Sequence, residues 1–324
     1  SIKIAIRNLV KQKGFALINI LGLTIGMACF SMFLLYAAHE FSFDRFHTNA
    51  SQIYRVYDWW NFEGRSGKEP SSVTPLGPAM KSDLLDVEDS VRIQGGGEKL
   101  VKVDDKVLSV KVSFADPQLF SVFTFPLLAG DPSNPLKGPN DIVLTKDKAL
   151  QLFGNIQVVG RQLEIKTGSK YEPFVVSAVA DNIPHNSTIR FDILGNFVHV
   201  LNSDFGKASV DNWNMTIGIQ VFVKLKEGSN LKNETDRLEV FRQKYFPDER
   251  ATLQKEGQWS GKGQPPNGYA LQPLRDVHTG IDVDQWGAVD PKNIFILISI
   301  AAGILLISGC GILPIASKFI GGCL

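Results

Sequence analysis

A run of 24 residues without a charged side chain, residues 15–38, constrains the fold of this chain more than any other feature. At about 1.5 Å per residue, a helix of this length spans a hydrocarbon core of roughly 30 Å. The run is longer than the apolar core of a cleaved signal peptide, and Tyr36 breaks the small-residue pattern that precedes a cleavage site. A second uncharged run, residues 294–317, lies near the other end of the chain. The sequence therefore predicts a retained spanning helix at each of these positions.

Charges outside the two runs predict how the chain lies in a membrane. Four basic residues and no acidic residue precede the first run, and Lys318 is the one charged residue after the second. Setting these five aside from 34 Lys and Arg leaves 29 basic against 33 acidic residues in the middle, a net charge of −4. By the positive-inside rule, both chain ends are expected in the cytoplasm and the middle outside it. The mildly acidic middle argues against nucleic-acid binding, which needs a basic surface.

These patterns divide the chain into five expected segments. They are an amphipathic cytoplasmic helix in the membrane interface at 1–14, the first spanning helix at 15–38, an extracytoplasmic domain at 39–293, the second spanning helix at 294–317, and a short cytoplasmic end at 318–324 that is expected to be truncated. The three cysteines, Cys29, Cys310 and Cys323, lie in or beside the apolar runs. The extracytoplasmic domain must therefore be stabilised by a hydrophobic core and not by disulfides.

The middle of the chain alternates short strands with a few helices, which is typical of α+β layers. Two strands, 99–103 and 107–114, flank a hairpin turn at Asp104-Asp105. A helix is predicted at 145–153, with Thr145 as its N-cap and Gly154 as its C-terminal stop. The Pro- and Gly-rich stretch 130–141 is a candidate boundary within the domain. We expect an α+β domain of one or two subdomains, inserted between two transmembrane helices.

Further local patterns predict individual elements. Residues 51–58 alternate like a strand, and a helix at 74–85 would take Thr74 as its N-cap. An amphipathic helix is predicted at 230–245 and a mobile loop at 254–268. The pair Trp59-Trp60 is interpreted as core, and the polar turn 181–186 as structural.

Nine short segments, spread along the chain in a fixed order, carry a specific resemblance. They are AIRNL (5–9), INILGLTIG (18–26), EFSFDRFH (40–47), IYRV (53–56), FTFPLLAGD (123–131), IVLT (142–145), LFG (152–154), DNIPHNS (181–187) and FD (191–192). In this order they resemble ABC-transporter permeases of the MacB/FtsX-like family. The resemblance implies a multi-pass protein of the bacterial inner membrane with a MacB-like core domain in the periplasm.

The same resemblance implies partners. A cytoplasmic ABC ATPase would bind ATP and Mg²⁺, so that no cofactor is expected in this chain. The permease would act in the lipid bilayer with a second permease copy or repeat. Movement of the periplasmic domain, driven by the ATPase, would export or release a substrate.

The sequence was also searched for catalytic chemistry. The glycine and lysine at Gly261-Lys262 lack the spacing and the Ser/Thr of a phosphate-binding P-loop. The five histidines have no metal-ligand spacing, and Phe43 stands where a zinc motif beginning at His39 would need its second histidine. We expect no catalytic, cofactor-binding or metal-binding residue, and a transport subunit that is not an enzyme.

Position alone selects the candidate site residues. Gly22 and Gly26 are one turn apart in the first run, where they would let another helix approach closely. Glu40, Asp44 and Arg45 connect the first span with the domain and are the candidates for span-to-domain coupling. Two alternatives to the permease remain open: a two-span membrane sensor with an extracytoplasmic ligand-binding domain, and a non-functional permease remnant. The sensor predicts a signalling helix or kinase after the second span.

Overall fold

The computed structural model describes residues 13–62, 64–283 and 288–310. These residues divide into two compact units. One takes the terminal segments up to Ser42 and from Val289 onward, and the other is Phe43–Ala288. The predicted interfacial helix up to residue 12, the second span from residue 311 and the segment 318–324 lie outside the described residues.

Ten α-helices are described. They are α1 (Lys13–Glu40), α2 (Leu76–Asp83), α3 (Leu119–Val122), α4 (Lys146–Phe153), α5 (Phe197–Asn202), α6 (Asp204–Ser209), α7 (Thr235–Tyr245), α8 (Glu249–Lys255), α9 (Leu274–Val277) and α10 (Pro291–Cys310), with a 3₁₀ turn at Leu231–Asn233. The described strands number thirteen. They are β1 (Ile53–Phe62), β2 (Arg65–Glu69), β3 (Ser72–Val73), β4 (Val87–Gln94), β5 (Glu98–Val103), β6 (Lys106–Ala115), β7 (Leu127–Gly130), β8 (Asp141–Thr145), β9 (Gln162–Thr167), β10 (Lys170–Ala180), β11 (Ile193–Asn196), β12 (Thr216–Leu225) and β13 (Asn267–Pro273).

The terminal unit consists of α1 and α10, which pack against each other. The Phe41 ring, just after α1, lies 5.9 Å from the Phe295 ring of α10. Within α1, the segment Ile20–Glu40 has a mean hydropathy of 2.0 and is long and apolar enough to cross a membrane. Among the described residues, no other helix is both long enough and apolar enough to cross a membrane. The apolar part of α10, Pro291–Leu306, is shorter.

The second unit is built on one connected sheet. Its strand order is β11-β8-β10-β9-β5-β6-β4-β12-β1-β13, and β11 also pairs in parallel with β6. That extra pairing closes six strands, from β11 to β6, into a ring. Successive residues of a strand face opposite sides of the sheet. Ile142 and Leu144 of β8 accordingly join one buried apolar cluster, whereas Val143 joins another. The predicted mixture of strands and helices in an α+β domain is confirmed.

Several local predictions agree with the structure. Val103 and Lys106 pair across a two-residue turn, and Asp104 adopts the left-handed φ of 51° that such hairpin turns require. Gly154 ends α4 with a φ of 78°, as expected of a C-terminal glycine. The predicted helix 230–245 appears as the 3₁₀ turn followed by α7. The stretch 130–141 links β7 to β8 inside the single unit Phe43–Ala288.

Three predictions need correction. Thr74 does not cap α2, because Pro75 takes the N-cap position while the buried Thr74 hydroxyl donates to Ser209 Oγ at 2.9 Å. Thr145 occupies the N-cap position of α4, but its side chain makes no capping hydrogen bond. Trp59 and Trp60 are half-buried and not core residues, because β1 carries them beyond its fully buried first half.

Candidate functional site

The candidate coupling residues fall on both sides of the division between the two units. Glu40 is the last residue of α1 and is 8% exposed. Asp44 is fully buried at the start of the second unit, whereas Arg45 beside it is exposed. Gly26 is buried in α1, while a Cβ built on Gly22 would meet nothing within 4 Å.

Asp44 fastens the start of the domain to a loop far along the chain. Its carboxylate accepts a hydrogen bond from the Thr188 backbone N–H, at 2.9 Å to Oδ1, and another from the Thr188 hydroxyl through Oδ2. Its own backbone N–H donates to the Asn186 carbonyl at 2.9 Å. Asp44 has a φ of 56°, a left-handed conformation that aspartate tolerates better than most residues. Three hydrogen bonds thus fix the first turn after α1.

A second set of contacts fixes the next turn. The Thr124 backbone N–H donates to His47 Nδ1 at 3.0 Å, and the Thr48 backbone N–H donates to Thr124 Oγ1 at 2.9 Å. The His47 ring lies edge-on to the Phe125 ring at 5.2 Å, and the Phe46 ring lies 6.4 Å from Phe125. The segment that follows α1 is therefore docked rigidly on residues 123–125.

The start of the domain lies against a segment that follows α9, before the end of the domain. The ring of Phe43, the first residue of the second unit, stacks on His278 with ring centroids 3.4 Å apart. His278 follows α9, and the chain continues from there toward α10. A cavity of about 690 Å³ opens beside this stack, with Lys111, Thr188 and Arg190 in its lining. We call residues 43–48 with Thr124, Asn186, Thr188 and His278 the junction.

Burial controls the charges of the junction. It raises the pKa of Asp44, while the hydrogen bonds from Thr188 and the charge of His278 act in the opposite direction. It also lowers the pKa of His47 to about 4. Since Nδ1 accepts from Thr124, the proton of the neutral ring is on Nε2. That atom lies 3.8 Å from Asp44 Oδ1, and it has no hydrogen-bond partner in the described part of the chain.

The sequence position of Asp44 makes it a candidate, but no sequence pattern selects the residues that hold it. His47, Thr124, Thr188 and His278 were not among the candidates, and the turn 181–186 was interpreted as structural only. A signal was present, because both EFSFDRFH and DNIPHNS belong to the ordered series of segments. Only the fold places these two segments in contact, so their joint role could not be inferred from either alone.

The buried His47 predicts a pH-dependent stability. Its folded pKa of about 4 lies below the ordinary value of 6.5, so the unfolded chain binds the additional proton between these values. The stabilisation is complete above pH 6.5 and is lost as the pH falls toward 4. We expect this residue alone to lower the free energy of unfolding by about 2 kcal/mol between pH 7.5 and pH 5.

The measurement is denaturant unfolding at several pH values, with His47→Asn as the matched variant. An asparagine oxygen can replace Nδ1 as the acceptor for Thr124 but does not titrate. The variant should lose less stability on acidification than the parent by that amount. An identical pH dependence in both proteins would contradict the buried, neutral state of His47.

The family described as MacB-like periplasmic core domain matches residues 16–240. A domain of a protein described as a permease from Porphyromonas gingivalis is 19% identical and superposes with a TM-score of 0.59, covering 71% of this chain and 92% of that chain. This likeness shows a shared fold.

Two further solved structures are more distant. The periplasmic region of MacB from Actinobacillus actinomycetemcomitans is 14% identical, with a TM-score of 0.44 over 72% of this chain and 93% of that chain. The extracellular domain of the ABC-type transporter YknZ from Gram-positive bacteria is 12% identical, with a TM-score of 0.41 over 68% of this chain and 99% of that chain. No curated protein matches the chain.

Proposed function

Because this chain belongs to the MacB-like periplasmic core domain family, we propose that it couples ATP hydrolysis by a separate cytoplasmic ATPase to movement of its periplasmic domain. The family match over residues 16–240 confirms the resemblance found in the sequence. On the proposal, the unit Phe43–Ala288 is the periplasmic domain of an ABC-type permease. The proposal adds the direction in which motion is transmitted through the protein. Motion starts in the cytoplasm, passes along α1 and α10, and moves the domain so that a substrate is exported or released.

The observation that carries the proposal is the junction. Phe43, where the chain enters the domain, stacks on His278, and Asp44 is hydrogen-bonded to the loop at Thr188. A displacement of α1 would therefore act on a fixed point of the domain. A partner can drive such a conformational change only if some contact is present in one state of the protein and absent in the other. The cavity beside the stack supplies space for such a rearrangement.

The remaining partners follow from the same proposal. ATP and Mg²⁺ would be bound by the ATPase and not by this chain. A second copy of the permease would pack on α1, where Gly22 leaves the backbone open to close approach and Leu17, Ile18, Ile25 and Met32 are exposed. Dispersion contacts between such surfaces associate helices in lipid.

Co-purification tests the proposed partnership. The intact protein, extracted from its own membranes, should carry a cytoplasmic ABC ATPase with it, and the ATP turnover of the complex should exceed that of the isolated ATPase severalfold. An ATPase variant that binds ATP without hydrolysing it is the control for turnover. A well-folded protein that retains no ATPase and leaves its turnover unchanged would contradict the proposal. Retention of a histidine kinase in its place would favour the sensor.

A further inference from the structure

The domain contains a second feature, an aromatic cavity that shares no lining residue with the junction. Its volume is about 420 Å³, within the range of small-molecule sites. Strands β1 and β13 form one side, and α7, α8 and the segment before β12 form the other. Its lining includes Trp59, Trp60, Trp213 and Phe246, all of which are half-buried. Such rings are the usual walls of a binding site for an apolar group.

Two glycines hold the tryptophan wall in place. A Cβ built on Gly67 would lie 2.1 Å from the Trp60 ring, and a Cβ on Gly268 would lie 2.9 Å from the Trp59 ring. Both glycines are direct cross-strand neighbours of the tryptophan that covers them. Each glycine therefore leaves room for the neighbouring indole, Trp60 on the cavity face of β1 and Trp59 on the other face, and a larger residue at position 67 would displace the Trp60 ring.

The opposite wall is also fixed. Trp213 stacks on Tyr245 with ring centroids 3.9 Å apart, and the Phe246 ring lies edge-on to Trp213 at 5.8 Å. Tyr245 in turn donates a hydrogen bond from its hydroxyl to Asp83 at 2.8 Å. Preorganised aromatic walls reduce the entropy lost when a ligand binds.

The charges at the cavity are unequal. Arg242 donates to Glu249 through Nε at 2.9 Å and through Nη2 at 2.8 Å, and its Nη1 donates to Asp58. Its guanidinium also lies 4.8 Å from the ring centroids of both Phe246 and Tyr269. One cation is thus shared between two carboxylates, which leaves a net charge of −1. Since Arg242 already has both carboxylates as partners, an incoming anion would meet excess negative charge.

We propose that this cavity binds a small organic cation with an apolar body. The rings of Trp60, Trp213 and Phe246 would contact the body, and their π-faces together with the excess carboxylate charge would attract the cation. A purely structural network would serve equally well with these rings buried, yet all three remain half-exposed around an open space. The site is distinct from the junction, so the inference holds whether or not the helices transmit motion.

The ionisation of Asp58 supplies a second signature. Burial raises the pKa of Asp58 to about 6, with Arg242 acting in the opposite direction and Glu249 and Glu69 acting in the same direction. Tyr269, the other titratable group that faces Asp58, has its own pKa raised further by burial and stays neutral in this range. Protonation of Asp58 below pH 6 removes the excess negative charge. Cation affinity should therefore fall by up to about tenfold between pH 7.5 and pH 5.

The test titrates the intact protein with benzyltrimethylammonium and, as a probe of similar size and opposite charge, with benzenesulfonate. Binding is measured by isothermal titration calorimetry and by tryptophan fluorescence. We expect saturable binding of the cation, at least tenfold weaker binding of the anion, and loss of cation affinity by a similar factor in Asp58→Asn and in Trp60→Leu. Trp259→Leu, which removes a tryptophan outside the cavity lining, should bind as the parent does.

Each variant is first checked for a folded domain by its unfolding midpoint. If Asp58→Asn does not fold, Trp60→Leu and the two probes on the parent still decide the question. The proposal is overturned if the folded parent shows no saturable cation binding, if the anion binds as tightly as the cation, or if Trp60→Leu binds with the parent's affinity. These outcomes leave the co-purification test of the proposed function untouched.

Discussion

Replacing Asp44 by alanine is expected to lower the free energy of unfolding of the periplasmic domain by about 3 kcal/mol. The left-handed φ of 56° costs alanine roughly 1 kcal/mol, and the partly buried Thr188 N–H loses its acceptor at a further cost of about 1–3 kcal/mol. The measurement is denaturant unfolding of the intact protein followed by tryptophan fluorescence. All five tryptophans lie between Trp59 and Trp286, so the signal reports on the domain and not on the helices.

Asp44→Asn is the matched control for this change. Asparagine tolerates the left-handed conformation, and its amide oxygen can still accept from the Thr188 N–H. The free energy of unfolding of Asp44→Asn should therefore be lower than that of the parent by less than about 1 kcal/mol. Arg45→Ala, at the exposed neighbouring position, should lie within about 0.5 kcal/mol of the parent. An alanine variant of Asp44 as stable as the parent would show that this carboxylate does not anchor the start of the domain.

A flexible Gly-Ser-Gly insertion between Ser42 and Phe43 is expected to uncouple the domain from ATP hydrolysis almost completely. The insertion places a chain without stiffness between Ser42 and Phe43 and changes no residue of the junction. Motion of α1 is then absorbed by the linker. The readout is the ATP-dependent fluorescence change of a label at Arg45→Cys, in a protein whose three native cysteines are replaced. We expect at least a tenfold smaller change than in the labelled parent.

The control insertion places the same three residues after Gly168, in the turn between β9 and β10. This position is exposed and already has a left-handed φ of 71°. The control should respond to ATP as the parent does, and both insertions should unfold at the parent's midpoint. A full fluorescence response with the insertion at residue 42 would show that motion reaches the domain by another route.

Elements with a local cause were predictable from the sequence. The turn at Asp104-Asp105 and the glycine that ends α4 each need only a few neighbouring residues to define them. The uncharged run in α1 is likewise a local property, set by hydrocarbon thickness. Predictions from such local patterns agree with the structure because no distant contact overrides them.

Features that depend on distant pairing were not predictable. Alternation along β1 predicts one buried face, yet Ile53, Arg55 and Val56 are all fully buried because an apolar cluster covers each face of the sheet, with Ile53 in one and Val56 in the other. The Arg55 guanidinium is accommodated by Gln272, its cross-strand neighbour, at 2.7 Å from Nη2 to Oε1. The charged residue therefore marks a core position, and only the sheet order reveals it.

The junction shows the same limit at the candidate site. Asp44 could be selected from the sequence because it lies just after α1, and a residue that couples the span to the domain must lie between them. Its partner Thr188 is 144 residues away, and nothing in the local sequence of either residue points to the other. Likewise, only the fold brings Phe43 into contact with His278, and no local sequence pattern predicts that contact.

The most direct measurement of the central claim is the fluorescence of the label at position 45 in the otherwise unaltered junction. The labelled protein is reconstituted in lipid with the ABC ATPase that the proposal assigns to it, and the signal is compared without nucleotide, with ATP, and with ATP and vanadate to trap the hydrolysing state. Coupling through α1 and the junction predicts a change on ATP addition that persists in the trapped state and reverses when nucleotide is removed. An unchanged signal while the complex turns over ATP would contradict the account.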